Sequence, residues 1–562
     1  MRILALHVDY IKFKALKKAL KKIEDLSEKE KKEKNVKDAL VVLTAVEKID
    51  GKDIVKKYVD EIENIAKQVK TKNIVLYPYA HLSSNLGSPD MASELLKEAE
   101  KKLKGFKVVR APFGYYKEFE LKVKGHPLSE LSRSITSEGG VVEEKYDVKQ
   151  LLREISKSKL DTSKLKENDH RILGKQMDLF SFNEVAPGMV FYHNNGLVIR
   201  NELIKFWREL HEKDGYEEIR TPQIMDKKLW QISGHWDKYK ENNFVTEYEK
   251  RAFLVKPMNC PGGMLVYKNS PKSYKDLPLK VGELGTVHRV ELSGVLAGLF
   301  RVIQFTQDDA HIFCKNEKQL EDELIGVINL IDELYAPFKF TYAVELSTRP
   351  KIRIGSDSQW NKAEKALENV LKNKKIKYKV NKGEGAFYGP KIDFHVKDSL
   401  GRTWQCGTIQ VDFAMPKRFN LEFTDKDNKK KQPIMIHRAL YGSLERFLGI
   451  ILEHFKGWMP TWIAPIQVRV LNFTDRNEKG AQKILERLKQ EGIRVDSDFS
   501  STTMGSKVKN ASLMRIPYVV TIGDKEEKGN FLSIRVRGNR KLQTMKLEEF
   551  LSKLKIEISE RK

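Results

Sequence analysis

The residues best suited to chemistry crowd into one stretch, GELGTVHRVELSGVLAGLFRVIQFTQDDAHIFC at 282–314. It mixes Arg289, Glu291, Arg301, Gln307, Asp308, Asp309 and His311 with strand-like apolar residues and glycines. Arginines on strands flanking a Gly-rich turn suit a nucleotide phosphate, because the guanidinium fork donates two parallel hydrogen bonds to phosphate oxygens and keeps its charge. On composition alone, surface ion pairs on a hairpin are the commoner use of such arginines. Cys260, His311 and His437 are types that ligate zinc, yet they stand 51 and 126 residues apart, and no spacing rule selects them. Cys314 and Cys406 read as strand residues packed in a core.

These residues need a scaffold, and the periodicity supplies one. In the first ~125 residues, strand-like runs (Ile3 to Ile11, Leu40 to Val46, Asn73 to Tyr79, Phe106 to Val109, Tyr116 to Val123) alternate with helical spacing at Ile54 to Val69 and Ala92 to Leu103. That is an α/β unit. From Ser137 to about Asp169 the chain turns polar and lysine-rich, which reads as a linker with one short helix around Val148 to Ile155. The middle region joins long helices to many strands. Ile199, Leu203, Phe206, Trp207 and Leu210 form one helical face, KIDFHVKD at 391–398 alternates as a strand, and Leu444, Phe447, Leu448, Ile451, Leu452 and Phe455 mark the clearest helix. After Pro465 a compact α/β domain follows, with 21 bases against 13 acids, a net +8. The Lys29 to Lys34 run reads as a solvated helix face. The expected organisation is therefore multidomain α/β and α+β, with domains at 1–136, 169–465 and 466–562 and a linker at 137–168.

Composition narrows the partners. The chain has 562 residues, a formal charge of +25 and 40% hydrophobic residues, so it can fill several cores and favours a polyanion as its large partner. No apolar run approaches the ~18 residues of a membrane span, the N-terminus lacks a signal-peptide layout, and three cysteines make no disulfide framework. The expectation is a cytoplasmic protein with no membrane association.

Longer motifs carry a resemblance. KPMNCPGG (256–263), HRVELSG (288–294), RVIQFTQDDAHIFC (301–314), GEGAFYGPKIDF (383–394), WQCGTIQVDF (404–413), IMIHRALYGSLERFLGI (434–450) and PTWIAPIQV (460–468) resemble threonyl-tRNA synthetase. DHRILGKQMDLFSFNEVAPGMVFYHNNG (169–196) is similar to that family's entry into the class II catalytic domain. The N-terminal segment, with HVDY, TAVEK, YPYAHLSS, APFGYYK and KGHPLSELSR, resembles the archaeal-type editing domain, itself similar to D-aminoacyl-tRNA deacylases.

The resemblance implies a homodimeric ligase that activates threonine with ATP, charges tRNA(Thr) and hydrolyses mischarged seryl-tRNA(Thr). It implies an antiparallel-sheet catalytic domain and a C-terminal α/β anticodon-binding domain. A dimer-forming helix would end near Thr221 and Pro222. ATP would meet Arg289 at the α-phosphate, Glu291 on the adenine side, Arg301, Gln405 and Thr408, with Arg446 at the γ-phosphate and Mg2+ bridging the phosphates. One Zn2+ per subunit would sit on Cys260, His311 and His437, and Gln307, Asp309, Tyr388 and Gln410 would surround threonine. His81, Tyr116, Lys117 and Glu130 match the editing positions; Glu526 and Arg535 match anticodon readers.

Departures from the pattern stand at Gly263, Val290, Leu292, Ile303 and Gln304, none of them a metal or phosphate position. Two rival readings are a class II synthetase for another amino acid, such as proline or serine, and a catalytically inactive tRNA-binding paralogue.

Overall fold

Seventeen residues, Arg2–Lys18, form the long strand β1, and the chain then runs β2 (Lys34–Ala45), α1 (Ile54–Gln68), β3 (Asn73–Pro78), α2 (Pro89–Lys102), β4 (Lys107–Arg110), β5 (Tyr115–Val123) and β6 (Glu130–Ser134). The sheet order is β4-β3-β2-β1-β5, with β6 also pairing β1. The period-two pattern sorts two faces. Ile3, Ala5, Leu40, Val42, Ile74 and Leu76 meet the helices, while Val8, Ile11, Phe13, Val41, Val75 and Tyr77 form a second apolar layer. Helix α2 begins where Ser88 Oγ accepts from Met91 N at 3.3 Å and proline takes the first turn.

The computed structural model describes residues 1–562 except 21, 22, 24, 84, 136–151, 153–164, 239–242, 400 and 540. The linker helix expected around Val148 to Ile155 therefore lies, apart from Leu152, outside the described residues. The chain divides into two units, Met1–Asp147 and Val148–Lys562.

The second unit opens with α3 (His170–Gln176) and α4 (Asn194–Lys213), which buries the predicted face of Ile199, Leu203, Phe206, Trp207 and Leu210. Helix α4 stops at Lys213, eight residues short of Thr221. Gly215, at φ +74°, takes the left-handed conformation that ends a helix and feeds β7 (Glu217–Glu218), so the expected helix end near Thr221 and Pro222 is not observed. There follow α5 (Cys260–Lys268), β8 (Leu279–His288), β9 (Gln304–Cys314), α6 (Glu317–Tyr335), β10 (Thr341–Ser347), α7 (Asp357–Asn373), β11 (Tyr378–Asn381), β12 (Lys391–Lys397), β13 (Thr403–Asp412), β14 (Ile434–Ser443) and α8 (Leu444–His454). They build an eight-stranded sheet in the order β11-β10-β12-β13-β14-β9-β8-β7, antiparallel through its centre, with parallel pairs only at its edges. Helices α4, α6, α7 and α8 bury one face of that sheet in a single apolar core, which includes Cys314 and Cys406 as expected.

The last segment adds β15 (Val468–Asn472), α9 (Glu478–Gln490), β16 (Val495–Asp498), α10 (Met504–Leu513), β17 (Tyr518–Ile522), α11 (Asp524–Gly529), β18 (Leu532–Val536), β19 (Gln543–Met545) and α12 (Leu547–Ser559). Its sheet runs β16-β15-β17-β18-β19 over a separate core. It belongs to the same unit as the larger sheet, and Arg494 Nη1 meets Glu202 Oε1 of α4 at 2.8 Å.

A candidate active site on the central sheet

Strand register assembles the site. Across β9, β14, β13 and β12, His311 pairs with His437, His437 with Gln410 and Gln410 with Lys391; the neighbouring rung is Asp309, Ala439, Thr408 and Asp393. Because strand side chains alternate in direction, both rungs face the same side, opposite the helices. A cavity of about 670 Å³ opens there. Of the thirteen residues expected around metal, ATP and threonine, twelve line it; His311 sits just behind, almost wholly buried.

At one end, the ligand atoms of Cys260, His311 and His437 lie within 4.8 Å of one another. Cys260 starts α5, and His437 Nε2–H donates to Asp412 Oδ2 at 2.9 Å. Asp412 is itself fixed, since its other oxygen accepts from Ala414 N at 2.7 Å and Met415 N at 2.9 Å. That bond sets the His437 tautomer and leaves Nδ1 as an acceptor toward the other two. His311 Nε2 is buried with no hydrogen-bond partner. Burial holds the His311 imidazole neutral, well below its ordinary range, and pushes the Cys260 thiol well above its own. A thiol and two imidazoles whose ligand atoms converge on one point form a donor set that suits zinc. The departure at Gly263 falls beside them, where a Cβ would stand 3.3 Å from His311 Nδ1.

Around this end, Asn259 Nδ2 donates to Asp309 Oδ2 at 3.4 Å, and Tyr388 OH donates to Gln410 Oε1 at 2.5 Å. Burial, with help from Glu283 and against the pull of His437, raises the Asp309 carboxyl to about 6. The segment leading to Cys260 is anchored by Lys256, fully buried, whose ammonium meets Glu283 Oε1 at 2.8 Å and Thr221 Oγ1 at 3.0 Å.

At the other end stand the arginines. Asp308 accepts the N–H groups of Leu440, Tyr441 and Gly442 at 2.9, 2.9 and 2.8 Å, which pins the irregular register where β14 turns into α8. Ser443 Oγ then caps that helix by accepting from Arg446 N at 3.2 Å. The three phosphate-type arginines rest on protein acceptors: Arg446 Nε on Phe300 O at 3.1 Å, Arg301 Nη2 on Glu291 Oε2 at 2.9 Å and Arg289 Nε on Pro257 O at 3.2 Å.

Four site residues escape the sequence reading: Asn259, the donor to Asp309, and Asp393, Lys391 and Asp412. Asp393, almost wholly buried, accepts from Lys391 Nζ at 2.7 Å, Gln405 Nε2 at 2.6 Å and Thr408 Oγ1 at 3.0 Å. Lys391 lines the cavity, and Asp412 backs His437. A signal existed: opposite the apolar face of Ile392, Phe394 and Val396, the strand KIDFHVK shows the polar face Lys391, Asp393 and His395.

In the first unit the four expected editing residues separate. Lys117 Nζ donates to Pro112 O at 3.0 Å and Tyr115 O at 3.1 Å and lies 5.0 Å from the Tyr77 ring; burial lowers it to about 8. His81 touches Tyr79, which touches Tyr77, and it lines a cavity of about 500 Å³ with Glu47 and Ser83. Tyr116 is exposed, next to Lys117 on β5 but on the opposite face, with Lys17 over its ring. Glu130 pairs with Leu6 whereas Lys117 pairs with Ala15, nine residues further along β1. In the last segment, Glu526 accepts from Gly523 N at 3.0 Å and Ser533 Oγ at 2.6 Å, and Arg535 stands two residues on from Ser533, on the same face of β18.

Comparison with known proteins finds three family models along the chain. Residues 1–135 match the Archaea-specific editing domain of threonyl-tRNA synthetase, 243–455 the class II tRNA synthetase core domain (G, H, P, S and T) and 467–557 the anticodon binding domain. The chain is 52% identical over 396 residues to the threonine–tRNA ligase of Clostridium tetani, a match spanning 70% of this chain and 62% of that one. It is 55% identical over 395 residues to the enzyme of Caldanaerobacter subterraneus, spanning 70% and 61%. The chain thus covers a little over three-fifths of those curated relatives. Among solved structures, the RNA binding domain of threonyl-tRNA synthetase from Cryptosporidium parvum aligns at 38% identity and TM-score 0.67 over 69% of this chain and 98% of that one. Threonyl-tRNA synthetase from Aeropyrum pernix aligns at 32% and 0.63 over 70% and 97%.

Proposed function

The chain belongs to the threonyl-tRNA synthetase family, and from that premise we propose that it joins threonine to tRNA(Thr) at the expense of ATP and removes mischarged serine in its N-terminal unit. The observation that carries this reading is the single cavity onto which the Cys260–His311–His437 group and the arginines Arg289, Arg301 and Arg446 converge.

Adenylate formation joins the threonine carboxylate to the α-phosphorus of ATP and releases pyrophosphate. The transition state spreads negative charge over phosphate oxygens, so it needs fixed cations more than covalent help. Arg289 faces the α-phosphate and Arg446 the γ-phosphate, with Arg301 nearby, each exchanging a neutral carbonyl or Glu291 for phosphate oxygen. Gln405 and Thr408, held by Asp393, border the nucleotide. Transfer follows when a ribose hydroxyl at the tRNA terminus attacks the threonyl carbonyl and AMP leaves.

Zinc on Cys260, His311 and His437 would supply an open coordination position for the amine and hydroxyl of threonine, and Mg2+ would arrive with ATP. Asp309, Asn259, Gln307, Tyr388 and Gln410 orient the amino acid around that point. In the N-terminal unit, Lys117 and His81 are the residues best placed to hold an ester and its water, with Tyr116 and Glu130 as further editing residues. Glu526 and Arg535 read the anticodon. The enzyme works as a cytoplasmic homodimer; among the described residues no helix is long and apolar enough to cross a membrane.

ATP–pyrophosphate exchange with a panel of amino acids, paired with zinc content, tests the reading. Exchange with threonine and serine, not with proline or valine, and one zinc per chain are expected. Exchange with proline alone would assign another class II specificity, and no exchange with any amino acid would leave an inactive tRNA-binding paralogue.

A further inference from the structure

Among the described residues a second group has metal-like composition, Asp169, His170 and Glu453. Its hydrogen bonding makes it something else. His170 Nδ1–H donates to Glu453 Oε1 at 2.7 Å, while Nε2 accepts from Leu299 N at 2.9 Å, so neither ring nitrogen keeps a free lone pair. His170 is 1% exposed and Glu453 3%, so this is a buried relay from α8 to the turn at 298–301.

That turn carries Arg301 and Phe300 to the cavity. The Phe300 ring lies between two neighbours, the His170 ring at 4.3 Å and the Trp404 ring at 4.2 Å. Glu453 is braced in turn, because its other oxygen accepts from Arg402 Nη2 at 2.6 Å, and Arg402 pairs with Asp398 at 2.6 Å. Gly298 sits against the imidazole so closely that a Cβ there would lie 2.3 Å from His170 Nε2, at φ +54°.

Helix α8 therefore grips the turn twice. Arg446 does so directly, through Phe300 O at 3.1 Å; Glu453, seven residues and about two helical turns further on, does so through His170. The first grip is the one a nucleotide removes, since Arg446 faces the cavity and phosphate is the stronger acceptor. We propose that His170 is a positioning residue for adenylate formation, holding the turn that bears Phe300 and Arg301 in register with α8 once ATP has drawn Arg446 away. The inference rests on the synthetase reading above.

The test compares two variants of the full chain. His170→Phe keeps the ring against Phe300 and removes both hydrogen bonds, whereas His170→Gln keeps a donor and an acceptor. In ATP–pyrophosphate exchange, His170→Phe should raise KM for ATP about tenfold with threonine affinity held to about twofold, and His170→Gln should recover most of the loss. Hydrogen exchange at the Leu299 amide should quicken in His170→Phe. In the unaltered protein that amide should stay protected when ATP is added, a reading that needs no variant to fold. The proposal is overturned if KM for ATP is unchanged in His170→Phe, if ATP and threonine affinities fall together as they would after general damage, or if ATP itself exposes the Leu299 amide. A chain that makes no adenylate would sink the synthetase reading separately, while the Leu299 amide still decides whether the tie exists.

Discussion

Asp393 offers the sharpest quantitative test of the site. Its buried carboxylate takes four donors, Lys391 at 2.7 Å, Gln405 at 2.6 Å, Thr408 at 3.0 Å and, at the long end, Ser347 Oγ at 3.4 Å. Asp393→Asn preserves volume but leaves one acceptor oxygen and one NH2. If the oxygen stays with Gln405 and Thr408, the amide donor confronts the Lys391 ammonium, donor against donor. One charge-assisted bond is lost, worth about 1.5–3 kcal/mol, and at about 1.36 kcal/mol per tenfold that is roughly 10- to 150-fold in kcat/KM for ATP. Asp393→Ala also strands all four donors, and breaking a buried pair from one side costs about 3–5 kcal/mol of stability. Exchange kinetics with ATP varied at saturating threonine, beside thermal melting of both variants, separate the two effects. If Asp393→Asn keeps kcat/KM for ATP within about threefold of the unaltered enzyme while folding normally, the claim that this carboxylate sets the nucleotide pocket is wrong.

Four further outcomes concern the metal-type group, the N-terminal unit and the last segment. His311→Ala should lose zinc and threonine activation together, and valine should hardly exchange in the unaltered enzyme because it leaves Asp309 and the open coordination position unpartnered; retention of both by the variant would remove His311 from the ligand set. Serine lacks only a methyl, worth about 1–3 kcal/mol or roughly 10–200-fold, so Lys117→Met should let seryl-tRNA accumulate. With burial setting Lys117 near about 8, its ammonium form dominates below that pH and is lost above it, so the Lys117-dependent part of seryl-tRNA hydrolysis should fall as pH rises through 8; a flat profile would contradict an ammonium role. Arg535→Ala and Glu526→Gln should slow tRNA charging and leave pyrophosphate exchange intact, and equal losses in both assays would assign the damage to folding.

Where local period decides structure, the sequence is readable. Helix α8 and strand β12 appear at their predicted positions because their apolar residues repeat at helical and strand period, although α8 is buried nearly all round and Asp393 on the polar face of β12 is buried too. Helix α10 gives no such warning: MGSKVKNASL buries only Lys507 and Ala511, so tertiary contact rather than an apolar stripe holds it. Helix α4 shows the reverse error, since the reading carried it past a Gly215 whose left-handed backbone ends it. In the site, arginine and histidine types point to phosphate and metal chemistry, but their convergence depends on pairings between β9 and β14 more than a hundred residues apart in sequence, which no local pattern encodes. Asp308, conspicuous by composition, proves to hold backbone amides.

The paired rungs also determine how this protein can change length. Side chains alternate in direction along β14, so one residue inserted before His437 would present a neighbour in its place and turn the imidazole to the opposite face of the sheet. The exposed 426–431 segment just upstream can absorb such an insertion without disturbing parity. Evolution and engineering alike are therefore free to vary turns and to exchange side chains in place, while the central strands must keep an unchanged residue count for His311, His437, Asp309 and Gln410 to stay on one surface.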